Sequence, residues 1–242
     1  SRYPTSRVGR GISPGTVEEP DRLPSQTVGG RNASMDMLTG LVRQLQAEHA
    51  SETATAIARG TSVPGQVEAW CAAMARTIAR GGTILACGNG GSAAEAQHLV
   101  GELVGRFRRE REPMRAVALG ADVPTLSAIA NDYDYARAFS RQVGALGRPG
   151  DLLIGISTSG NSPSILNAMR TAREGGIVTV GLGGATAGGL ADVSDLLVQA
   201  PSIVTSTIQE VHLFLIHLAC NVLETYVHDE AFRAEFARAA EA

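Results

Sequence analysis

Five short apolar runs, each followed by a segment with helical periodicity, constrain the fold of this chain more than any other feature. Strands that are buried on both faces are continuously apolar, and strands that alternate with helices form parallel sheets. We therefore predict an α/β protein with a five-stranded parallel sheet and helices on both faces, in a doubly wound arrangement. The predicted strands are Thr83 to Gly88, Arg115 to Gly120, Asp151 to Ser157, Ile177 to Leu182 and Asp195 to Pro201.

Helical patterns precede and separate these runs. An N-terminal helical segment is predicted as two amphipathic helices, Met35 to Arg59 and Gln66 to Arg80, separated by Gly60 and Pro64. The other predicted helices follow the strands in turn: one that ends at Phe107, short helices from Pro124 to Leu146, one from Pro163 to Glu174, and a long one from Thr205 to Val227.

Residues 1–34 differ from the rest of the chain. They are rich in Pro, Gly, Ser and Arg and have no hydrophobic period, so we expect a disordered extension. Met35 follows at once and opens a helical pattern, which suggests that the natural protein starts there and that the extension is foreign to it. A genuine flexible arm is the alternative. Residues 35–242 are taken as one domain.

Composition excludes several classes of function. The net charge is −3 and no basic block occurs, so nucleic-acid binding is not expected. No run of eighteen apolar residues occurs either, so no membrane contact is expected. Cys71, Cys87 and Cys220 are scattered without metal-site spacing, and we expect reduced, buried thiols and a cytoplasmic protein.

The chain contains no lysine, since all 21 basic residues are arginine. Schiff-base catalysis and a Walker-type phosphate lysine are therefore excluded. Any carbonyl chemistry must depend on carboxylate, imidazole or a metal ion.

A glycine-rich turn follows the first predicted strand. Gly88, Gly90 and Gly91 permit a tight turn, and Ser92 is expected to cap the following helix. Free N–H groups at such a helix start favour an anion or a sugar hydroxyl. A glycine turn before a helix is structural more often than functional, so the turn alone does not decide. No GxGxxG pattern occurs, which excludes a dinucleotide site of that type.

Two pairs of polar residues could contact a substrate. His98 and Glu102 are four residues apart on the predicted helix and share one face. An imidazole beside a carboxylate can bind a metal or act as an acid/base pair, although an ordinary surface pair is the alternative. Asn131 and Asp132 follow the second strand, where they could bind a sugar or form an Asx turn.

A serine-rich loop follows the third predicted strand. Ser157, Thr158, Ser159 and Ser162 lie in it, together with Gly160. Hydroxyls and N–H groups that converge at a helix start suit a phosphate monoester without any lysine. A polar turn is the alternative, but so many donors after a buried strand favour phosphate binding.

The last long helix is apolar and carries Gln209, His212 and His217. An isolated histidine on such a helix is usually a core residue. Gln209 and His217 are eight residues apart, a rise of roughly 12 Å. They could share a ligand only if both side chains lean inward, or if different subunits supply them. Spacing alone does not choose between His212 and His217.

Taken together, these segments resemble the SIS (sugar isomerase) family, and within it the sedoheptulose 7-phosphate (phosphoheptose) isomerases. The resemblance extends from about Met35 to Val227. It rests on GNGGSAAEAQHLVGELVGRF, AIANDYDYARAFSRQV, GDLLIGISTSGNSPSIL and IQEVHLFLIH in this order and spacing. It implies a flavodoxin-like SIS domain and an aldose–ketose isomerase. The implied enzyme converts D-sedoheptulose 7-phosphate to D-glycero-D-manno-heptose 7-phosphate through an enediol, the first step of ADP- or GDP-heptose precursor synthesis.

The resemblance also implies roles for individual residues. Glu102 matches the family's general base and His217 its general acid. One zinc ion per subunit is implied at His98, Glu102, Gln209 and His217, which favours His217 over His212. A homotetramer with shared active sites is implied as well. The implied contacts of the phosphorylated seven-carbon sugar are Asn89, Gly90, Gly91, Ser92, His98, Glu102, Asn131, Asp132, Ser157, Thr158, Ser159, Ser162 and Gln209.

The chain departs from the family pattern at Thr207, where an arginine commonly precedes the IQE sequence, and in its first 34 residues, which have no counterpart. One rival interpretation is a non-catalytic SIS protein that binds a replication initiator or senses sugar phosphates. The replication-associated type lacks the glutamate and the second histidine, and this chain has both Glu102 and His217. A second rival is an SIS enzyme for an amino-sugar phosphate.

Overall fold

The structure is a computed structural model, and it describes residues 33–60 and 65–241. The predicted extension lies outside the described residues up to position 32, so it stays a prediction. The contact pattern divides the chain into two units between Leu45 and Gln46, within the first helix, and each unit is described by itself. No helix in the described ranges has both the length and the apolar character needed to span a membrane.

The helices agree with the predicted pattern in most places. Their bounds are α1 Ala33–Gly60, α2 Gln66–Ala79, α3 Gly91–Val104, α4 Val123–Asp132, α5 Ala138–Leu146, α6 Pro163–Glu174, α7 Leu190–Val193, α8 Thr205–His228 and α9 Glu230–Glu241, with a 3₁₀ turn at Tyr135–Arg137. Two of them, α7 and α9, were not predicted.

Five parallel strands form the sheet, as predicted. They are β1 Ile84–Gly88, β2 Ala116–Ala118, β3 Leu152–Ser157, β4 Val178–Gly183 and β5 Leu196–Gln199, in the order β2-β1-β3-β4-β5. This order is the flavodoxin-like doubly wound topology, in which the strand order reverses between β1 and β3.

The core lies in two layers, one on each face of the sheet. Alternate residues of β3 point to opposite layers, Ile154 to the layer that contains α2, α3 and α8, and Leu153 to the layer of α5, α6 and α7. Both faces are covered, which explains why the strands are apolar without alternation. Cys71, Cys87 and Cys220 are buried and unpaired, and burial raises the pKa of each thiol to about 12.

The predicted helical region from Pro124 to Leu146 is broken near its middle. The Asp134 carboxylate accepts a hydrogen bond from the N–H of Ala136 at 2.6 Å, so it starts a new helical turn after α4 has ended. A similar contact starts α9, where the Asp229 carboxylate accepts from the N–H of Phe232 at 3.0 Å. Local capping by aspartate thus sets boundaries that hydrophobic periodicity does not reveal.

Among the described side chains of α1, Ala56 alone is buried, so the amphipathic character predicted for this helix does not lead to a buried face along its length. The second half of α1 contacts α8 through polar groups. Thr207 Oγ1 donates to Glu52 Oε1 at 3.0 Å, and the Glu210 carboxylate contacts His49 and Thr53.

Candidate active site

The site lies where the strand order reverses. Gly88 ends β1 and pairs with Ile156 of β3, so the segments that follow these two strands start side by side. The helix after β1, α3, packs on one face of the sheet, and the helix after β3, α6, packs on the other. A crevice at the carboxyl ends of the strands is the usual place for a ligand in such a sheet.

The turn between β1 and α3 is built on glycine. Gly90 has a φ of 55°, in the left-handed region that favours glycine, and a Cβ at Gly88 would collide with the backbone of Ser92. The prediction that Ser92 caps α3 is wrong. Gly90 is the N-cap and Gly91 starts the helix, so Ser92 is the second helical residue, where it is buried.

Asn89 connects three segments of the site. Its Oδ1 accepts a hydrogen bond from Tyr135 Oη at 2.7 Å, and its Nδ2 donates to Ser164 Oγ at 3.1 Å. Tyr135 and Ser164 were not predicted as site residues, although each lies beside a predicted motif. These contacts fix the amide of Asn89 between the end of β1 and the start of α6.

The serine loop gathers hydroxyl groups at the start of α6. Ser157 is the buried last residue of β3, and its Oγ lies 3.3 Å from Oγ of Ser162, the N-cap of α6. Pro163 occupies the first helical position, as predicted. Thr158 is half-buried and Ser159 is exposed in the same loop. The hydroxyls and the helix start therefore form one polar surface that suits an anion.

His98, Glu102 and His217 meet between the last turns of α3 and the middle of α8. His98 Nε2 lies 2.8 Å from His217 Nε2 and 3.3 Å from Glu102 Oε1. The His98 side chain is 40% exposed and that of Glu102 is 23% exposed, so the cluster opens to solvent in the single chain. His212 is fully buried, so of the two histidines left open by spacing, His217 is the one that faces His98.

The surroundings of His217 favour its neutral ring. Partial burial lowers the pKa of His217, the neighbouring His98 lowers it further, and the opposing effect of Glu102 is smaller. The hydrogen bond between the two imidazoles also requires a lone pair on one of them, since a protonated ring only donates. A neutral imidazole beside a carboxylate can both accept and donate a proton.

The same cluster has the donor set of a zinc site. One ligand atom each from His98, Glu102 and His217 lies within 4.8 Å of the others, and zinc takes imidazole nitrogen and carboxylate oxygen. The predicted fourth ligand, Gln209, is placed with its side-chain amide against Gly91, two helical turns before His98. The structure thus brings three of the four predicted ligands together.

A buried polar contact holds the end of α3 that carries Glu102. The Arg111 guanidinium donates to the carbonyl oxygens of Glu102 at 2.5 Å and Leu103 at 2.9 Å. Arg111 also lies 3.9 Å from Glu224 of α8, and both side chains are 2% exposed. A cation at the last carbonyls of a helix stabilises its end.

Glu224 also fixes the loop after α3. Its carboxylate accepts hydrogen bonds from three consecutive N–H groups, those of Phe107, Arg108 and Arg109, at 3.0–3.2 Å. Burial raises the pKa of Glu224, but these N–H groups and Arg111 lower it by more, so the net pKa is lowered. The Phe107 ring in turn stacks on His217 at 5.4 Å. Sequence analysis missed Glu224 and Arg111.

Asn131 and Asp132 lie at the exposed end of α4, where Asn131 Nδ2 donates to Asp132 Oδ1 at 2.8 Å. The structure places neither in contact with the other predicted site residues that it describes. Their role as sugar contacts stays a prediction.

Comparison with known proteins gives a consistent result. Residues 47–184 match the family model described as SIS domain. A phosphoheptose isomerase of Roseiflexus sp. is 55% identical over 154 residues, which are 64% of this chain and 78% of the relative. A phosphoheptose isomerase of Solidesulfovibrio magneticus is 48% identical over 187 residues, or 77% and 91% of the two chains.

Solved structures agree. A phosphoheptose isomerase from Neisseria gonorrhoeae is similar with a TM-score of 0.72 and 38% identity, over 76% of this chain and 99% of that one. A phosphoheptose isomerase from Francisella tularensis has a TM-score of 0.68 and 32% identity, over 79% and 98%. The NanR protein of Vibrio vulnificus, complexed with ManNAc-6P, is 16% identical with a TM-score of 0.56 and shares the fold alone.

Proposed function

Because this chain belongs to the SIS domain family and, within it, to the phosphoheptose isomerases, we propose that it interconverts the ketose and aldose forms of a phosphorylated heptose. The substrate is D-sedoheptulose 7-phosphate and the product D-glycero-D-manno-heptose 7-phosphate, which feeds ADP- or GDP-heptose precursor synthesis. One observation carries the proposal: Glu102 and His217 meet His98 at a solvent-open site. The replication-initiator type, which lacks those two side chains, is therefore not favoured.

The phosphate group is held without lysine. In our proposal it lies against the hydroxyls of Ser157 and Ser162 and the first N–H groups of α6, with Thr158 and Ser159 as further donors. The positive end of the helix dipole favours the dianion. Asn89 and the Gly90–Gly91 turn then face the sugar.

The isomerisation is a proton transfer through an enediol. Glu102 removes a proton from carbon 1, and the electrons of that C–H bond form the double bond to carbon 2 while the ketone oxygen takes up a proton. His217 takes up the proton of the carbon 1 hydroxyl and delivers a proton to carbon 2, so that the aldehyde forms at carbon 1 and the imidazole is neutral again. A carboxylate and a neutral imidazole suit these two different tasks.

Zinc is the proposed cofactor, one ion per subunit. His98, Glu102 and His217 would hold it, with Gln209 as the predicted fourth ligand. When bound, it would polarise the carbonyl and stabilise negative charge on the enediolate oxygens. Glu102 cannot be a tight ligand and a free base at once, so we propose that its two roles alternate.

Removal of one ligand tests the metal site. His98→Ala is expected to lower zinc affinity by at least about tenfold, because an imidazole ligand is lost. Isothermal titration of the metal-free protein with zinc measures this. His228→Ala, at the exposed end of α8, is the matched control and should bind as the wild type does. Equal zinc affinity in both variants would contradict the proposed site.

We propose a homotetramer with shared active sites. The catalytic cluster is open in the single chain, and the first half of α1 exposes apolar side chains at helical spacing, which indicates a surface that another copy covers. The exposed apolar residues at this spacing are Met35, Leu38, Leu41, Val42 and Leu45, and Met37 is exposed beside them. Light scattering should give the mass of four chains, and an active monomer would contradict the proposal. We expect the enzyme in the cytoplasm, in keeping with its three free thiols.

The proposed function is tested by comparing substrates. The purified protein is expected to isomerise D-sedoheptulose 7-phosphate. It should isomerise fructose 6-phosphate and glucosamine 6-phosphate at least about a hundredfold more slowly, since missing sugar hydroxyls leave polar groups of the site unpaired. Preference for glucosamine 6-phosphate would favour an amino-sugar enzyme. No turnover of any of the three would favour a sensor.

Tyr135 offers a test of the sugar-binding side. Tyr135→Phe removes the hydrogen bond that fixes Asn89, worth about 1 kcal/mol. KM is therefore expected to rise about fivefold while kcat changes little. Tyr133→Phe, on an exposed tyrosine two residues earlier, is the control and should leave KM unchanged. An unchanged KM in Tyr135→Phe would remove this hydrogen bond from substrate binding.

A further inference from the structure

Glu95 of α3 and His212 of α8 form a buried pair that the proposed reaction does not use. His212 is fully buried and Glu95 is 7% exposed. Glu95 Oε2 lies 3.7 Å from His212 Nδ1, and neither atom has a hydrogen-bond partner among the residues that the structure describes. The separation is longer than a hydrogen bond, so the two groups interact through charge.

The contacts of His212 determine where its protons lie. Its Nε2 lies 3.0 Å from the carbonyl oxygen of Gly183. A carbonyl oxygen only accepts, so Nε2 carries a hydrogen. If Nδ1 and Glu95 were both unprotonated, two sets of lone pairs would face each other between buried side chains, which is costly. A proton on either Nδ1 or Oε2 removes this repulsion.

The pair lies on the line of contacts between α3 and α8 that leads to the catalytic cluster. At one end Gln209 packs on Gly91, and at the other His217 contacts His98. Glu95 is three residues before His98, and His212 is three residues after Gln209. Through Gly183 the pair is also attached to the carboxyl end of β4.

We propose that Glu95 and His212 are positioning residues, which set the rotation of α3 against α8 and so bring His98 and Glu102 onto His217. This inference rests on the proposed function. Apolar side chains would fill the same space without loss of stability, because a buried charge pair often contributes little net free energy. They would not fix a rotation, since apolar contacts have no direction. The hydrogen bond from His212 to Gly183 and the electrostatic attraction between His212 and Glu95 act at fixed positions on the two helices, and so favour one rotation.

Variants at position 95 distinguish a role of Glu95 in positioning the catalytic cluster from a role in stabilising the fold. Glu95→Leu is expected to lower kcat by about 10- to 100-fold, because displacement of reacting groups by about 1 Å costs that much. KM should change less than about threefold, since the serine loop between β3 and α6 is untouched. Glu95→Gln should restore kcat to within about threefold, because its amide keeps a polar group of the same size beside Nδ1 of His212. Gln97→Leu, on the exposed side of α3, is the control.

Two outcomes would overturn the proposal. One is a wild-type kcat in Glu95→Leu. The other is a decrease in kcat that occurs only together with a decrease in melting temperature and that Glu95→Gln does not restore. If Glu95→Leu does not fold, the double variant Glu95→Leu/His212→Leu replaces it, with the same expected loss of kcat. The ¹⁵N NMR signals of His212, recorded without substrate, should show a protonated Nε2, and an unprotonated Nε2 would also overturn it. This signal does not depend on turnover, so failure of this inference can be distinguished from failure of the proposed function.

Discussion

Glu102→Gln is expected to lower kcat for sedoheptulose 7-phosphate by about 10²–10⁴-fold, the range for loss of a general base. The amide has the size of the carboxylate but cannot remove a proton from carbon 1. KM should change little, because in our proposal the phosphate is held at the other end of the site by the serine loop. Steady-state kinetics of the purified variant measure both quantities.

A control variant tests whether the loss of any acidic charge in this part of the chain lowers kcat. Glu110→Gln changes an exposed carboxylate eight residues further along the chain and should keep the wild-type kcat. The melting temperature of Glu102→Gln should stay close to that of the wild type, since the Arg111 contact is made to the Glu102 carbonyl and not to its side chain. Turnover retained in Glu102→Gln would show that another group is the base.

Glu224→Gln is expected to lower the free energy of unfolding by about 3–5 kcal/mol, the cost of breaking a buried ion pair from one side. The change leaves Arg111 buried without its counter-charge and replaces an oxygen that accepts N–H groups of the Phe107 loop with a donor. Urea denaturation measures the difference. Glu230→Gln, at an exposed glutamate of α9, should stay within about 0.5 kcal/mol of the wild type.

The stability difference at Glu224 should depend on pH in a defined direction. The pKa of Glu224 is lowered in the folded state, so its carboxylate stabilises the fold at pH values above the unfolded pKa of about 4.3. That stabilisation is lost as pH falls through the lowered folded-state pKa. The gap between wild type and Glu224→Gln should therefore be constant from pH 7 to 5 and shrink below about pH 4. A gap that widens on acidification would contradict the assignment.

The fold was predictable because its signals are local. Each strand is a short apolar run, and α6 has the predicted bounds, with Pro163 at its start. The break after α4 and the start of α9 were not predictable from hydrophobic period, because each depends on one aspartate that caps a helix. The small helix α7 lies in a glycine-rich stretch where no period exists.

From residue spacing alone the site was predictable only where its residues are close in sequence, and the choice of His217 came from the family resemblance. His98 and Glu102 share a face because they are four residues apart. His212 and His217 are five residues apart, about 140° around a helix, so one faces the sheet and the other the cluster, and spacing does not tell which. Glu224 was not predicted because its hydrogen-bond partners, Phe107 to Arg109, are more than a hundred residues away in the sequence.

The most direct test of the account is the fate of hydrogen at carbon 2 of the product. Glu102 takes the proton from carbon 1 and His217 supplies the one at carbon 2, and the cluster that holds them is open to solvent at His98, so the proton on His217 exchanges with water. When sedoheptulose 7-phosphate is turned over in D₂O, we therefore expect the heptose 7-phosphate to carry deuterium at carbon 2. Product with only protium at carbon 2 would mean that the hydrogen passes from carbon 1 to carbon 2 without exchange, either directly or on a single group, and would contradict the separate acid/base roles of Glu102 and His217.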